Sequence, residues 1–368
     1  MNCIPSTGSS PMKGGDGPYS YTHNSSFQRQ GVETAKALIN EDIAEKLDIN
    51  ELISSSSSSS KVFSIADLGC SVGPNTIIVV ENIMDSVKLK YQSFGPNNQG
   101  ALEFQVFFND LPSNDFNVLF KSLPSSDRQY FAAGVPGRFQ VRLFPKASLH
   151  FVHCSYALHW LSKIPKELVD KTSPAWNKGR ICFTNASNYV REAYSTQFGK
   201  DMESFLNARA QELVCGGLMA LTILCLPEVI SGKCLALGLN DLLEACLNEM
   251  VEEGVLSEDM VDSFNLPQYY ASKQEVVSLI ERNLCFSIER MEPLVRPPRN
   301  GMAPSVESTI SAFRAVAEEL LVSHFGNDII DELFGRFKKK VVESSILSKS
   351  ADNPGMLELY VLLKRKVD

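Results

Sequence analysis

Between Val62 and Thr76 the chain reads Val-Phe-Ser-Ile-Ala-Asp-Leu-Gly-Cys-Ser-Val-Gly-Pro-Asn-Thr, and few folds accommodate such a stretch. Val62, Phe63, Ile65, Ala66 and Leu68 suit a buried strand, and Asp67 to Gly73 must turn sharply before a helix starts near Asn75 or Thr76. Glycines at 69 and 73 let the backbone approach a ligand at the carboxyl end of that strand, where open α/β sheets bind nucleotides. The turn also contains an acid, Asp67.

That acid decides between loop chemistries. A phosphate loop needs Gly-Lys-Ser/Thr, and a dinucleotide loop needs Gly-x-Gly-x-x-Gly with free backbone donors; neither is present. Asp-x-Gly-x-x-x-Gly without a nearby cation suits a ligand that has no phosphate and some positive charge, and S-adenosylmethionine fits. The plainer alternative is a strand-turn-helix whose glycines serve packing alone.

The 368 residues can bury a large core, as one big domain with insertions or as two modest ones. A net charge of -8 argues against a nucleic-acid surface, and Lys338 to Lys340 and Lys364 to Lys366 read as solvated helix and strand ends. The longest apolar run, Gly216 to Leu226, is too short for a bilayer, and Met1 to Met12 lacks the apolar core of a secretory signal. No membrane partner is expected. Nine scattered cysteines without a Cys-x-x-Cys pair point away from a disulfide framework and toward a reducing, cytoplasmic setting.

Periodicity predicts a helix over Val32 to Leu52, a mobile serine loop over Ser54 to Ser60, a helix from Thr76 to Tyr91 and a polar loop from Gly95 to Gly100. Further strands are expected at Leu102–Phe108, Ser148–Ser155, Gly217–Leu226 and Met356–Leu363. Helices are expected at Asp201–Val214, Asn240–Glu252, Lys273–Asn283, Ser305–His324 and Asp328–Val342. The alternation predicts an α/β chain with a Rossmann-like, doubly wound, mainly parallel sheet. Residues 1–31 read as a lid segment, 32–235 with 350–368 as the sheet domain, and 236–349 as a helical cap over the carboxyl edge.

Three segments could carry chemistry. Asp110 follows a strand and can accept hydrogen bonds from a ribose diol, although Asp-Leu-Pro-Ser-Asn-Asp is also ordinary turn chemistry. Tyr156, His159 and Trp160 share one side at i, i+3, i+4 spacing in a turn or short helix, where aromatics are more often core. Met12 to Gln30 is glycine-rich yet dense in specific side chains, which suits a lid better than a mere leader.

Together these motifs resemble the plant SABATH methyltransferases, from Met12 to the C-terminus. The likeness rests on Met12-Lys-Gly-Gly with Tyr21, Asn24, Ser25 and Gln28-Arg-Gln; on Ala66 to Asn75; and on Phe108 to Phe116. Gly134-Val-Pro-Gly, Arg142-Leu-Phe-Pro, Ser155 to Ser162 and Asp262 to Tyr269 complete it. The resemblance implies methyl transfer from S-adenosylmethionine to a small carboxylic acid, including terpenoid acids such as loganic acid, or to a xanthine nitrogen. It implies a cofactor site at Tyr21, Cys70, Asn75, Asp110, Leu111 and Phe139, with Asp67 and Ser25 near the methionine end. Gln28, Tyr156, His159 and Trp160 would clamp the acceptor, Gln28, His159 and Trp160 as donors to its carboxylate. Asn240 and Phe313 would line the distal pocket. Asn185, Asp262, Phe264 and Asn265 correspond to a peripheral magnesium site of some members, and a homodimer is implied. One departure stands out: members usually read Pro-Gly-Ser-Phe-Tyr-Gly-Arg, whereas Pro136-Gly137-Arg138-Phe139-Gln140-Val141-Arg142 stands here. Arg138 must then point outward or stack on the adenine, and a ligand-binding relative disabled by it is the reading from another class.

Overall fold

A computed structural model describes residues 8, 10–54, 61–94, 102–125, 128–227, 234–296, 304–349 and 355–367. Of the expected loop at Ser54 to Ser60, Ser54 ends a helix and the rest lies outside the described residues, as does the expected loop at Gly95 to Gly100. The chain begins with α1 (Tyr21–Asn24), α2 (Ser26–Lys46) and α3 (Ile49–Ser54), then β1 (Lys61–Leu68), α4 (Pro74–Gln92), β2 (Leu102–Asp110) and α5 (Phe116–Ser122). β3 (Phe131–Pro136), β4 (Leu149–Ser155), α6 (Asn188–Glu212) and β5 (Leu213–Cys225) follow. After α7 (Leu235–Glu252), α8 (Glu258–Asp262) and α9 (Lys273–Asn283) comes β6 (Phe286–Pro293). α10 (Val306–Phe325), α11 (Ile330–Ser344), α12 (Ile346–Lys349) and β7 (Leu357–Arg365) complete the order.

The strands form one seven-stranded sheet, β3-β2-β1-β4-β5-β7-β6. The five strands from β3 to β5 are mutually parallel, while β7 runs antiparallel to both β5 and β6. From β1 the chain winds outward to β2 and β3, then returns to place β4 on the other side of β1. The sheet therefore has its switch point between β1 and β4, and the crevice beyond their carboxyl ends is open to a ligand.

β1 is buried from Phe63 to Leu68, as a parallel strand covered on both faces must be. Alternate residues feed the two layers. Phe63 and Ile65 pack with Ile39, Ile43, Val79 and Ile83 of α2 and α4, whereas Ala66 and Leu68 pack with Phe198, Phe205 and Leu206 of α6. Burying one such side chain is worth about 1.5–3 kcal/mol, so the alternation fixes the register. A third core gathers Leu243, Leu247, Leu321, Phe334 and Phe337 from the helices of the second half, with Phe264 from the loop after α8. No helix among the described residues is long and apolar enough to cross a membrane.

Several elements differ from expectation, among them β3, β6 and α6, and the short α1, α5, α8 and α12 were not expected. β3 and β6 are absent from the sequence reading, and β6 shows that the segment read as a helical cap also lends a strand to the sheet. Both are edge strands with few fully buried positions. α6 starts at Asn188, capped by the Ser187 side chain on the Val190 N–H, thirteen residues before the expected start.

Candidate active site

The turn after β1 is closed by β2. The N–H groups of Gly69 and Cys70 both donate to the Asn109 carbonyl, at 2.8 and 3.0 Å. Gly69 has φ +73°, and a Cβ there would stand 2.6 Å from that of Ala157, so a side chain is excluded twice over. One residue further, the Ser71 N–H donates to Asp110 Oδ2 at 2.7 Å, and the Leu111 N–H donates to Asp110 Oδ1 at 2.7 Å. The Asp110 carboxylate is thereby fixed at the rim of a cavity. Burial pushes its pKa up to about 6 against the pull of those two donors. Tyr21, Leu111 and Phe139 line the same end of the cavity, with Gly69 and Ser71. Burial first, then the Asp110 charge, raises the pKa of the Tyr21 phenol, which stays protonated.

Five residues expected at the cofactor, Asp67, Asn75, Ser25, Cys70 and Arg138, are not among those that line the cavity, and each is engaged with the protein. Asp67 is buried, accepts from the Thr76 hydroxyl and pairs with His153 Nδ1 at 2.7 Å, tying β1 to α4 and β4. Asn75 donates to Ser25 Oγ at 2.9 Å and accepts from Arg29 Nε at 3.2 Å, so Asn75 and Ser25 join the start of α2 to the start of α4. Cys70 is buried and its thiol donates to the Ser71 carbonyl, while burial raises its pKa well above the ordinary thiol range. Arg138 Nη1 donates to the Ser162 carbonyl at 2.9 Å and does not line the cavity. The loop it belongs to is held from below by Arg209. That wholly buried guanidinium pairs with Glu212 and donates to the carbonyls of Phe139 and Val141, at 2.8 and 3.0 Å.

All six residues expected at the acceptor end line the cavity: Gln28, Tyr156, His159, Trp160, Asn240 and Phe313. The backbone from Tyr156 to Trp160 is not helical. Tyr156 has φ +55°, and the segment is pinned as an irregular turn by Tyr269 N–H on the His159 carbonyl and Leu161 N–H on the Pro267 carbonyl. Tyr156 departs from expectation in one respect: its hydroxyl donates to Glu358 and accepts from Arg296, so the ring rather than the polar tip faces the cavity. His159 stacks on Tyr270 with centroids 5.2 Å apart, and burial lowers its pKa to about 3. It is a neutral imidazole at any ordinary pH, and its buried Nδ1 has no hydrogen-bond partner among the described residues. Among the described residues no lysine or arginine lines the cavity.

The sequence reading missed Ser71, Gln140, Gln268 and Tyr270, which also line it. Ser71 lies inside the recognised loop and was open to inference. Gln268 and Tyr270 reach the site only through the bridge between Trp160 and Gln268, a long-range register that no local pattern shows.

The N-terminal segment packs along one side of the cavity. The Lys13 N–H donates to the Ala315 carbonyl at 2.9 Å, the Lys13 ammonium pairs with Glu318, and the Gly15 N–H donates to Asp115 at 3.0 Å. Pro11 and Met12 thereby line the cavity between α10 and α5.

The residues corresponding to a magnesium site do not fit that ion. Asp262 Oδ1 accepts from the Gly179 N–H at 2.7 Å, and Asn265 Oδ1 accepts from Asn177 at 2.7 Å and from Tyr194 at 3.3 Å. Phe264 packs on His324 and Phe325, and the exposed Asn185 turns its amide to Asp241. Two of the oxygens that a hard cation would use, Asp262 Oδ1 and Asn265 Oδ1, already accept from protein donors.

Comparison with known proteins agrees with this geometry. Residues 7–366 match the family model described as SAM dependent carboxyl methyltransferase. Loganic acid O-methyltransferase of Catharanthus roseus is 48% identical over 97% of this chain and 94% of its own length. Salicylate carboxymethyltransferase of Clarkia breweri is 38% identical over 97% and 98%. The solved structure of a loganic acid methyltransferase with SAH superposes with a TM-score of 0.89 at 47% identity, covering 97% of this chain and 99% of that one. A switch-point cavity, an acid poised between two backbone donors and a likeness that spans nearly the whole chain lead to one assignment: this protein belongs to the S-adenosylmethionine-dependent carboxyl methyltransferases.

Proposed function

We infer that the protein forms the methyl ester of a terpenoid carboxylic acid of the loganic acid type, with Tyr21, Asp110, Leu111 and Phe139 holding the cofactor and Gln28, His159 and Trp160 holding the acid. The observation that carries this reading is the cavity's charge pattern. Among the described residues Asp110 is the carboxylate that lines the cavity, and it lies at the cofactor end, where ribose hydroxyls can donate to it. The acceptor end offers neutral donors alone: the Gln28 amide, the Trp160 indole and the His159 imidazole.

A carboxylic acid with a pKa of about 4–5 is already an anion near neutral pH and needs no general base. The sulfonium supplies the opposing charge. A carboxylate oxygen lone pair forms the O–CH3 bond as the C–S bond breaks, the electron pair passes to sulfur, and the products are an ester and the neutral thioether. No proton moves and no metal is required. The protein's part is alignment and exclusion of water. Neutral donors suit that part, because a lysine or arginine would hold the ground-state anion more tightly than the half-neutralised transition state.

Asn240 gives the distal wall a polar amide where salicylate-type members have a bulky aromatic, which favours a larger, oxygenated acid. The relative named for loganic acid supports the same class. Arg138 donates to the Ser162 carbonyl and does not line the cavity, which supports a working enzyme over a disabled relative. We extend the reading to a cytoplasmic homodimer in which residues 1–31 and 236–349 enclose the acid over the sheet formed by 32–235 and 350–368.

The test is a panel of terpenoid, aromatic and fatty acids and xanthines with labelled S-adenosylmethionine, on wild type, His159→Ala and Trp160→Ala. Loganic acid or a close terpenoid acid should be the best acceptor, and each variant should lose about 10–100-fold in kcat, as befits 1–3 kcal/mol per lost donor, with unchanged affinity for S-adenosylhomocysteine. A xanthine as the best acceptor, or equal losses in turnover and cofactor affinity, would overturn the reading.

A further inference from the structure

Arg296 does not line the cavity, yet its guanidinium touches the supports of two side chains that do. Nε and Nη2 pair with both oxygens of Glu358 on β7, at 2.6 and 2.7 Å. Nη2 also donates to the Tyr156 hydroxyl at 3.2 Å, and Nη1 donates to Gln30 Oε1 at 3.3 Å. The plane lies over the Phe27 ring at 3.9 Å, and Phe27 meets Tyr156 edge to face at 5.9 Å. Gln28, the neighbour of Phe27, and Tyr156 both face the acceptor end. Three elements distant in sequence thus converge on one cation: the start of α2, the turn after β4 and strand β7. The convergence needs a bare backbone at Gly31, whose Cβ would stand 1.6 Å from the Tyr156 hydroxyl.

We propose that Arg296 is a positioning residue for the acceptor, which through the Tyr156 hydroxyl and the Phe27 ring sets where the Tyr156 ring and the Gln28 amide stand relative to the transferable methyl. A bidentate pair with Glu358 only 14% and 9% exposed on its two sides contributes geometry more surely than stability. The planar guanidinium is required because it bonds in its plane to Glu358 and Tyr156 while its face covers Phe27. A lysine could keep the ion pair but not the stack and fork together. None of these contacts is to Tyr21, Asp110, Leu111 or Phe139, so the cofactor should bind as before.

This inference rests on the acceptor reading given above, and the experiment separates the two. Arg296→Met, Arg296→Lys, Glu358→Gln, Tyr156→Phe, the Arg296→Met/Tyr156→Phe double variant and Trp160→Ala are compared with wild type. Each is assayed for kcat and KM with the best acid of the panel headed by loganic acid, and for affinity toward S-adenosylhomocysteine by calorimetry. Arg296→Met should lower kcat/KM for the acid by on the order of 10²-fold, the loss expected of a misplacement near 1 Å, with cofactor affinity within about twofold of wild type. Arg296→Lys should recover part of that loss. Glu358→Gln, which keeps the shape of the site, should show the same selective loss to a smaller degree, and the double variant should be no worse than Arg296→Met alone. The proposal is overturned if Arg296→Met and Glu358→Gln leave kcat/KM unchanged while Trp160→Ala lowers it. It is overturned equally if acid turnover and cofactor binding fall in parallel, or if the double variant multiplies the losses. Should Trp160→Ala leave the acid's kinetics untouched, the acceptor reading falls, and this inference with it.

Discussion

Acidification offers a direct test of the role given to Asp110. Its carboxyl titrates near pH 6 in the ligand-free protein because burial outweighs the two backbone donors at 2.7 Å. Ribose hydroxyls need the ionised form as acceptor. If the cofactor binds that form alone, its apparent dissociation constant scales as one plus ten to the power of pKa minus pH. The factor is about 1.1 at pH 7 and about 11 at pH 5, so affinity for S-adenosylhomocysteine should fall about tenfold over that span. The ligand's own amino and carboxyl groups keep their charges throughout, so the slope belongs to the protein. The stability of the ligand-free protein should move the other way. A folded pKa above the unfolded value means that the native state binds the proton more tightly, so this residue's contribution declines as pH rises from about 4 to about 6, by at most about 3 kcal/mol. Asp110→Asn should abolish the slope. Its amide has one acceptor atom for the Ser71 and Leu111 N–H groups, and the unmet one costs about 1–3 kcal/mol, a 5–150-fold weaker complex at pH 7. Calorimetric titration of both proteins at half-unit steps from pH 5 to 7.5 reads this out. A flat wild-type profile, or a slope that survives in Asp110→Asn, would refute the reasoning.

Two further outcomes follow from the packing. Gly31→Ala should drive the Tyr156 hydroxyl off its partners and lower kcat/KM for the acid at least about tenfold with unaltered cofactor affinity, and adding Tyr156→Phe should recover part of the loss; wild-type kinetics in Gly31→Ala would contradict the crowding. Arg209→Met strands the Glu212 carboxylate in a dry interior and should destabilise the fold by about 3–5 kcal/mol in urea titration, with weaker cofactor binding because the Phe139 loop loses its anchor; an unmoved midpoint would show that Arg209 is dispensable.

What the sequence made legible was whatever depends on near neighbours. The β1 strand and its glycine turn were readable because a doubly covered parallel strand is a continuous apolar run and because a sharp bend needs glycine. Helix α9 was readable to its ends, with the reciprocal Ser272–Glu275 capping box at its start. β3 was not, since Phe-Ala-Ala-Gly-Val-Pro has poor intrinsic preference for a strand and pairs only because β2 presents an edge. β6 hides in charges for a related reason: Arg290 is drawn onto it by the buried Asp42 of α2, a partner 248 positions away. In the site, residue types were legible before their roles. Asp67 and Asn75 read as ligand contacts because they flank the glycine turn, and what no near neighbour disclosed is that they also join β1, α2 and α4. Tyr156 read as a polar tip because nothing near it in sequence discloses Glu358 or Arg296.

Those displaced roles bear on how the reaction is electrostatically arranged. The strong charges near the cavity are kept out of it: Asp67 is tied to Thr76 and His153, Glu358 to Arg296, and Glu212 to Arg209. What reaches the interior is Asp110 at one end and uncharged donors at the other. In such a medium the attraction between a bound sulfonium and a bound carboxylate is screened by little except each other. It draws oxygen toward carbon and vanishes as the neutral products form, which also favours their release. A cation placed among the acceptor donors would weaken that attraction and hold the ionised acid in place. Trp160→Lys would therefore be expected to bind the acid no less tightly than Trp160→Ala, yet to turn it over no faster.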